Sequence, residues 1–315
     1  PDTPVTGLAV KDRDLVISTH GRSFWVLDDI ETLRQIRADV AMADAHIFDP
    51  ADAIRRSIPA VIDYYVSGSD RKVRLDVLDA EGAFVRTLFE GTRDEGTYRA
   101  TWNLRYPGAV TFDGIVLEGG NPAIGPWSPP GHYEARLTVD GLVQVAQFDV
   151  QRDPRLSGVT DADLVAQFDL ALEIRDAESK ANGNVLLIRD LRTQLQASVR
   201  QSDDPQLIES AERFMGDISE LEAELYQVRN QSPKDKIAFP IRLNDRLTGL
   251  RNRLEQGDAA PTAAYRAVYA ELSADLDGTM RALELLLTED LLRLNTELTR
   301  AGVPRVVVRN RLITE

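Results

Sequence analysis

The sequence contains no cysteine, and it has only three histidines, three methionines and 6% aromatic residues. The absence of cysteine excludes disulfide bonds, thiolate nucleophiles and cysteine-ligated metals. His20, His46 and His132 stand far apart, without the close spacing of ligands in a metal site. No apolar run approaches the roughly 20 residues that a membrane-spanning helix needs. The sequence therefore predicts no metal, no cofactor and no membrane span.

Positive charge is also scarce, since 37 basic residues face 51 acidic ones and the formal net charge is -14. Affinity for a phosphate backbone comes mainly from Lys and Arg that displace counterions. The charge balance therefore predicts no nucleic-acid partner. A serine, histidine and acid arrangement, a glycine-rich phosphate loop and a dinucleotide fingerprint are missing too. We accordingly predict no catalytic residue within these 315 residues.

Glycine and proline are concentrated in the first half of the chain: 14 of 20 glycines and ten of 15 prolines precede residue 161. Turn-forming residues separate short strands, whereas the Leu, Ala, Glu, Arg and Gln of the second half favour long helices. This change in composition lies near Asp153-Pro154. It predicts an α+β multidomain chain, with strands first and helices afterwards.

Residues 1–36 contain three runs with strand character: Val5–Val10, Asp14–Thr19 and Ser23–Leu27. They predict one small antiparallel sheet. Three strands cannot close a barrel, so this sheet needs a neighbour to cover its apolar face. After one helical turn near Ile30–Ile36, the polar residues 37–59 predict a linker.

Residues 60–153 predict a β-sandwich of immunoglobulin-like type, because six short strand candidates follow one another there. The candidates are Val61–Val66, Val73–Leu78, Phe84–Phe89, Tyr98–Leu104, Tyr133–Val139 and Leu142–Val150. Asp79-Ala-Glu-Gly82 and Asp140-Gly141 place glycine where a tight hairpin needs a positive φ. Five prolines from Pro107 to Gly131 predict a long loop of this sandwich.

Residues 154–304 predict an antiparallel bundle of four helices. The first helix spans about 40 residues and begins with Thr160 and Asp163 placed as a capping pair. The second begins at Asp204-Pro205. Its apolar residues follow a heptad pattern: Leu207, Ala211, Phe214, Ile218, Leu221, Leu225 and Val228. Such a stripe predicts another helix packed against it, and the helices also offer a surface for oligomerisation.

The third helix of the predicted bundle is shorter and carries leucines from Leu243 to Leu254. The fourth starts around Pro261 and stops at Gly302. Its stripe is Tyr265, Tyr269, Leu272, Leu276, Leu283, Leu287, Leu294 and Leu298. Residues 305–315 form a tail, in which Arg305–Arg309 has the pattern of a short strand.

The run Asp14–Asp29, which reads DLVISTHGRSFWVLDD, resembles the closing blade of bacterial β-propeller proteins of the BNR-repeat, sialidase-like and sortilin-like kind, with WD40/YVTN-like blades. Three later motifs resemble the region that follows the propeller in those proteins: Trp102–Pro107, Pro129–Tyr133 and Phe239–Asn244. Val73–Leu88 resembles the immunoglobulin-like domain of flagellar hook-capping proteins.

The resemblance implies that residues 1–36 are the last blade of a propeller and that the protein is exported, either periplasmic or secreted. We expect the remainder of the propeller, and any signal peptide, to lie upstream of Pro1. The resemblance does not imply catalysis, because the sialidase label describes the shape of the repeat.

Three residues are candidates for ligand contact. His20 and Arg22 flank a flexible glycine in one loop and could contact a sugar or an anion, although a purely structural role in the turn is also open. Trp127 could stack on a sugar from the proline-rich loop, or it could anchor that loop. Trp102 is instead expected in the sandwich core.

Two charged groups have a structural interpretation that we prefer. Asp28-Asp29 follows a strand directly, where Asp usually caps or turns the chain, so we do not assign it as a pair of glycosidase carboxylates. Arg242, Arg246, Arg251 and Arg253 are close enough to bind an acidic partner, but pairing with neighbouring helix carboxylates is the preferred explanation.

Three functions fit the sequence. The first is a non-catalytic C-terminal structural or interaction module of an exported propeller protein that binds protein or glycan. The second is the C-terminal part of a glycoside-hydrolase-like enzyme whose active site lies in the propeller. The third is a sortilin-like receptor or chaperone that binds peptides.

Overall fold

The computed structural model describes residues 2–309, which combine α-helices and β-strands in two compact units. The β unit holds the described residues up to Leu104 together with Pro130–Arg155. The helical unit holds Arg105–Pro129 and the described residues from Leu156 onward. Within residues 2–309, no helix is long and apolar enough to cross a membrane.

The β unit begins with a three-stranded antiparallel sheet, which confirms the three strands predicted in residues 1–36. Its strands are β1 (Val5–Lys11), β2 (Asp14–Thr19) and β3 (Phe24–Leu27), paired in that order. The predicted helical turn follows as α1 (Glu31–Gln35). We call these three strands the N-terminal sheet.

Two further sheets make up the rest of the β unit. A three-stranded sheet has the order β4 (Ala45–Ile47), β6 (Ala60–Val66) and β9 (Gly96–Trp102). A five-stranded sheet has the order β5 (Ala53–Ile54), β13 (Leu142–Gln151), β12 (Gly131–Val139), β7 (Arg71–Asp79) and β8 (Phe84–Arg93). Both predicted hairpins are present, with φ of 77° at Gly82 and 90° at Gly141.

An aromatic cluster joins these two sheets. Trp102 of β9 is fully buried, and its ring centroid lies 5.0 Å from that of Tyr133 on β12 and 6.2 Å from that of Phe148 on β13. Tyr133 and Phe148 are also direct cross-strand partners. The expectation that Trp102 belongs to the core is therefore confirmed, and its indole is one of the largest apolar groups buried in the β unit.

Residues 37–59 are more ordered than the predicted linker. They contain α2 (Ala38–Ala41), and they supply β4, which pairs with β6, and β5, which pairs with β13. The Gln144 side chain binds β4 at both ends, because its Oε1 accepts from Ile47 N at 3.0 Å and its Nε2 donates to the Ala45 carbonyl at 2.9 Å. Polar composition predicted a linker, but the segment satisfies its main chain by joining both sheets.

The helical unit contains the four predicted helices. They are α3 (Asp161–Val199), α4 (Pro205–Leu225), α5 (Leu243–Leu254) and a last helix made of α6 (Ala263–Leu285) and α7 (Leu291–Arg300). The predicted capping box is present, since Thr160 Oγ1 accepts from Asp163 N at 3.2 Å and Thr160 N donates to Asp163 Oδ2 at 2.9 Å. Asp204 caps α4 by accepting from Gln206 N at 3.0 Å.

Two helices differ from their predicted pattern. The heptad stripe of α4 stops at Leu225, and Val228 is exposed beyond the helix, because the chain extends at Tyr226 and buries that ring against Phe112. A π-helical turn at Leu286–Asp290 separates α6 from α7. Its wider turn shifts the phase of the stripe, so Leu291 is buried while Leu287 is only partly buried.

Residues 105–129, which we call the strap, differ most from expectation. The sequence predicts a loop of the sandwich, but these residues group with the helices. The strap begins with β10 (Arg105–Pro107) and ends with β11 (Ile124–Trp127), and among the described strands these two pair only with each other. The chain therefore passes between the two units three times, after Leu104, after Pro129 and after Arg155.

The strand predicted at Arg305–Arg309 does not form, and residues 310–315 of the predicted tail lie outside the described residues. Side-chain amides bind the main chain of this segment instead. Asn295 exchanges hydrogen bonds of 2.9 and 2.8 Å with Val306 O and N, and Gln194 exchanges two of 2.9 Å with Val307 O and N. These amides take the place of a neighbouring strand, since no strand of the described residues pairs with this segment.

The buried position of Trp102 leads to a test of the β-unit core. We expect Trp102→Ala to lower the free energy of unfolding of the β unit by about 3–5 kcal/mol, because it leaves a large cavity. Trp25→Ala, at an exposed tryptophan of the N-terminal sheet, should change it by less than about 1 kcal/mol. Denaturant-dependent hydrogen exchange of the β6 and β9 amides measures both, and equal effects would contradict the packing described.

Candidate functional site

His20 and Arg22 lie in the loop between β2 and β3, and both residues are exposed. The main chain fixes this loop, since His20 N donates to the Pro4 carbonyl at 3.0 Å and the Arg22 carbonyl accepts from Trp25 Nε1 at 3.1 Å. Neither the imidazole nor the guanidinium has a hydrogen-bond or ion-pair partner among the described residues. Ligand contact by these two side chains therefore stays a prediction.

Trp127 lies in a different unit from His20 and Arg22 and is half-buried on β11. The Arg105 guanidinium covers its ring, with the Arg105 Cζ atom 3.9 Å from the ring centroid. Its main-chain N–H donates to Glu255 Oε1 at 2.8 Å. Of the two interpretations that the sequence left open for Trp127, this packing favours the anchor of the loop over the exposed sugar platform.

The Asp28-Asp29 pair has a structural role at Asp29. Its Oδ1 accepts from Arg13 Nη2 at 2.8 Å and from Glu31 N at 3.3 Å, which fixes the turn before α1. Asp29 adopts a φ of 54°, a conformation that Asp tolerates better than most residues. In the part of the chain that the structure describes, no three His, Asp or Glu residues are grouped so that they could hold a metal ion.

The N-terminal sheet has apolar residues on both of its faces. Strand pairing aligns Leu8 with Ile17 and Trp25 in one row, and Val10 with Leu15 and Leu27 in the next row on the same side. The opposite side carries the rows Ala9, Val16, Val26 and Gly7, Ser18, Phe24. Because side chains alternate along a strand, the first face is wholly apolar and the second is mostly so.

Both faces of this sheet are accessible. Leu8 and Trp25 on the first face are 67% and 49% exposed, and Phe24 and Val26 on the second are 74% and 54% exposed. All residues of β1 and β3 are exposed, and all of β2 are partly exposed. A sheet with one face in water normally alternates apolar and polar residues, so this pattern is typical of a sheet that is covered on both sides. It is the strongest candidate for an interaction surface in the β unit.

In the helical unit, buried polar side chains bind the main chain of the strap. Asp245 accepts from Gly119 N at 2.6 Å and from Glu118 N at 3.0 Å. Arg251 Nη1 donates to the Ile124 carbonyl at 2.6 Å. Asp245 and Arg251 are buried, as is Glu255, which receives the Trp127 N–H. These side chains supply partners to main-chain groups that have no strand beside them.

Helix α3 and the segment that follows α4 contribute in the same way. Asn182 Nδ2 donates to the Val110 carbonyl at 2.8 Å, and Ser179 Oγ accepts from Val110 N at 3.2 Å. The Tyr226 hydroxyl accepts from Val116 N at 3.2 Å, and Asn230 Nδ2 donates to the Val116 carbonyl at 3.1 Å. The strap is thus bound along its length through its backbone.

One buried guanidinium contacts two buried carboxylates in this cluster. Arg251 Nη2 lies 3.2 Å from Glu178 Oε2 and Arg251 Nη1 lies 3.6 Å from Glu255 Oε2, while Arg105 Nη1 lies 3.9 Å from Glu255 Oε2. Burial raises the pKa of Glu178 above its ordinary value, and the charge of Asp245 adds to that rise. Arg251 and a hydrogen bond from Thr248 act in the opposite direction without cancelling it. Thr248 and Arg251 both lie on α5, so Glu178 joins α3 to α5.

The four arginines Arg242, Arg246, Arg251 and Arg253 differ in whether they form ion pairs. Arg251 pairs with Glu178, and Arg246 lies 3.1 Å from Glu271 and 3.4 Å from Asp275. Arg242 and Arg253 are exposed and form no ion pair with a described residue. The preferred explanation therefore holds for two of the four arginines.

Sequence reasoning did not identify the buried polar cluster. The signal available was a charged residue in an apolar stripe, because Glu178 stands four residues after the buried Ile174 and three before the buried Ala181. The hydrogen-bond and ion-pair partners of Glu178 could not be identified from the sequence pattern. They lie about 70 residues further along the chain, at Thr248 and Arg251.

No protein-family model matches this chain, and no curated protein matches it. Among solved structures it is similar to one described as "pT26-6p", with 13% sequence identity and a TM-score of 0.19. That alignment covers 76% of this chain and 49% of the other, so this chain spans about half the length of that protein. A likeness at this level carries no argument about fold or function.

The shared guanidinium gives a direct test of the cluster. Arg251→Met should lower the free energy of unfolding of the helical unit by about 3–5 kcal/mol, because it leaves the buried Glu178 carboxylate without its cation. Arg253→Met, at an exposed position two residues along the same helix, should change it by less than about 0.5 kcal/mol. Urea unfolding followed by hydrogen exchange of α3 measures the difference, and equal stability of the two variants would contradict the assignment.

The raised pKa of Glu178 predicts a pH dependence with a definite sign. The folded state then holds this proton more tightly than the unfolded state, so stability falls as the pH rises from about 4.3, the ordinary glutamate value, through the folded pKa. Glu178→Gln removes this contribution. The free energy of unfolding of Glu178→Gln relative to the wild type, measured in urea titrations, should therefore increase as the pH rises through that range. A difference between the two proteins that does not change with pH would refute the prediction.

Proposed function

We propose that residues 1–36 are the last blade of a β-propeller and that the rest of the chain is a non-catalytic C-terminal module that supports it. In this proposal residues 60–153 form an immunoglobulin-like sandwich and residues 154–304 an antiparallel four-helix bundle. The protein is exported, either periplasmic or secreted. Export rests on the resemblance of Asp14–Asp29 and the later motifs to exported bacterial propeller proteins.

The observation that carries this proposal is the two-sided apolar character of the N-terminal sheet. In a propeller, each blade packs one face on the preceding blade and the other on the next. Apolar rows such as Leu8, Ile17, Trp25 and Ala9, Val16, Val26 suit that arrangement. A sheet at the surface of a single domain would carry polar residues on one side.

The larger sheets support the sandwich part of the proposal. Most of their strand pairs are antiparallel, tight hairpins connect β7 to β8 and β12 to β13, and a tryptophan is buried between the sheets. These features are common in immunoglobulin-like domains. Residues 37–59 add short strands at the sheet edges, which extends the proposed domain at its start.

The polar residues of the helical unit support a structural role. Asp245 and Glu255 accept hydrogen bonds from the main chain of the strap, and Glu178 is fully buried. A general acid or base must reach the proton that it transfers, whereas Glu178 is fully buried and the Asp245 and Glu255 carboxylates are bound to N–H groups of the strap.

The proposed partners are the blades upstream of Pro1, which would cover both faces of the N-terminal sheet. The exposed loop with His20 and Arg22 offers an imidazole and a guanidinium for contact with a further protein or a glycan.

Hydroxyl-radical footprinting of Trp25 tests the blade assignment. The indole is half-exposed in the 315-residue chain and should be oxidised readily there. In the polypeptide extended upstream as its gene encodes it, Trp25 should be protected almost as well as the buried Trp102. Oxidation of Trp25 at the same rate in both polypeptides would overturn the proposal.

A pair of matched variants provides a second readout of the same idea. Val26 in β3 and Val143 in β13 are exposed strand valines, at 54% and 53%. In the 315-residue chain, Val26→Lys and Val143→Lys should both leave the melting temperature nearly unchanged. In the extended polypeptide, only Val26→Lys should lower it, because lysine would then be buried between blades. Equal effects in the extended polypeptide would contradict a covered sheet.

A further inference from the structure

A cleft lies between α5 and α6 in the helical unit, with the tip of the strap at its edge. Its volume is about 620 Å³, which is within the range of sites for small molecules. Residues from α5, α6, the strap and the segment just before α5 line it, and those that matter for recognition are Glu118, Ile241, Leu250, Arg253, Val268 and Leu272.

The walls of the cleft are mainly apolar. Leu250 and Leu272 are buried behind it, while Ile241 and Val268 are 44% and 42% exposed. Tyr265 adds an aromatic ring, which is held in place because its hydroxyl donates to the Arg253 carbonyl at 3.2 Å. An apolar side chain that entered the cleft would remove these groups from water, and that transfer is favourable.

Two charged groups that line the cleft are already engaged. Asp245 accepts both strap N–H groups described above, and Arg246 pairs with Glu271 and Asp275 on α6. The strap tip packs directly on α5 at Gly119, where there is no room for a side chain. A Cβ atom at Gly119 would stand 2.6 Å from Gly249 N.

Two other charged side chains at the cleft are not engaged. The Glu118 carboxylate and the Arg253 guanidinium are exposed, and neither forms a hydrogen bond or ion pair with a described residue. They have opposite charge, and they come from different elements, the strap and α5.

We propose that this cleft binds a small zwitterion with an apolar side chain, namely a free apolar amino acid or a short apolar peptide. Arg253 would receive the carboxylate, Glu118 the ammonium group, and the surface of Ile241, Val268 and Leu272 the side chain. The proposal is independent of the propeller assignment, since all of these residues belong to the helical unit.

The charge pattern distinguishes this ligand class from others. Phosphate would meet one unpaired guanidinium among the described residues that line the cleft, and a carboxylate in the same cleft would repel it. A fatty acid would leave Glu118 without a partner beside its alkyl chain. A zwitterion pairs both groups at once, and because the pairs are exposed the expected Kd is only on the order of 1 mM or somewhat below.

The test titrates L-leucyl-L-leucine into the full chain and follows the Tyr265 and Val268 signals by NMR. Saturable shifts are expected. N-acetyl-leucyl-leucine and leucyl-leucinamide, which each lack one charge, should bind about two- to fivefold more weakly, as expected for the loss of one exposed ion pair. Absence of binding at about 10 mM, or equal affinity for the capped peptides, would overturn the proposal.

Single-residue variants test which part of the peptide each cleft residue contacts. Arg253→Gln should remove the preference for the free acid over the amide, and Glu118→Gln the preference for the free amine over the acetylated peptide. Val268→Trp should fill the cleft and abolish binding. Val165→Trp, at a similarly exposed valine of α3 that does not line the cleft, is the control and should bind as the wild type does. Unchanged binding by Val268→Trp would place the peptide elsewhere and refute the site.

Discussion

The helical unit depends on one constraint, which is that buried main-chain N–H and C=O groups must have hydrogen-bond partners. The strap crosses the helices with little strand pairing of its own, so its peptide groups would be unsatisfied without help. Asp245, Arg251 and Glu255 at α5 and Asn182 on α3 supply the missing partners. This need explains why charged and amide side chains occupy positions that a helix of this kind would otherwise fill with leucine.

The same constraint recurs where a short segment lies beside a side-chain amide. Asn and Gln carry one acceptor and one donor group at the spacing of a peptide group, so each can replace a neighbouring strand. Gln35 bonds both to Asp49 N and to Asp49 O, and Gln144 bridges Ala45 and Ile47. Asn295 and Gln194 do the same for Val306 and Val307. Amide side chains thus hold irregular segments in both units.

Local features of this fold were predictable because their causes are local. The Thr160–Asp163 capping box, the Asp204 cap and the Asp140-Gly141 hairpin each follow from a few adjacent residues. The strap was not predictable, because proline and glycine indicate only that regular structure is interrupted, and its partners lie about 70–130 residues away. The π-helical turn at Leu286–Asp290 was missed because leucines on either side fit an unbroken helix equally well.

The candidate sites differ in the same way, since some follow from adjacent residues and others depend on distant parts of the chain. Exposure of His20 and Arg22 follows from a Gly-containing loop, whereas the position of Trp127 under Arg105 depends on where the strap runs. The apolar residues of the N-terminal sheet could be read from the sequence, but the opposite faces become evident only from the strand register.

With this strand register, the N-terminal sheet has two apolar faces that the described residues of this chain leave exposed. Exposed apolar faces and open strand edges promote association with other chains, and natural sheets usually limit this with charges, proline or bulges. Lys11 and Asp14 supply charges at one end, and a bulge between Val5 and Gly7 bends β1 at the other. Neither device interrupts the rows that contain Leu8, Ile17, Trp25 and Ala9, Val16, Val26. A sheet whose ends are guarded while its centre is apolar on both sides is what we expect if, as proposed, partners cover the two faces.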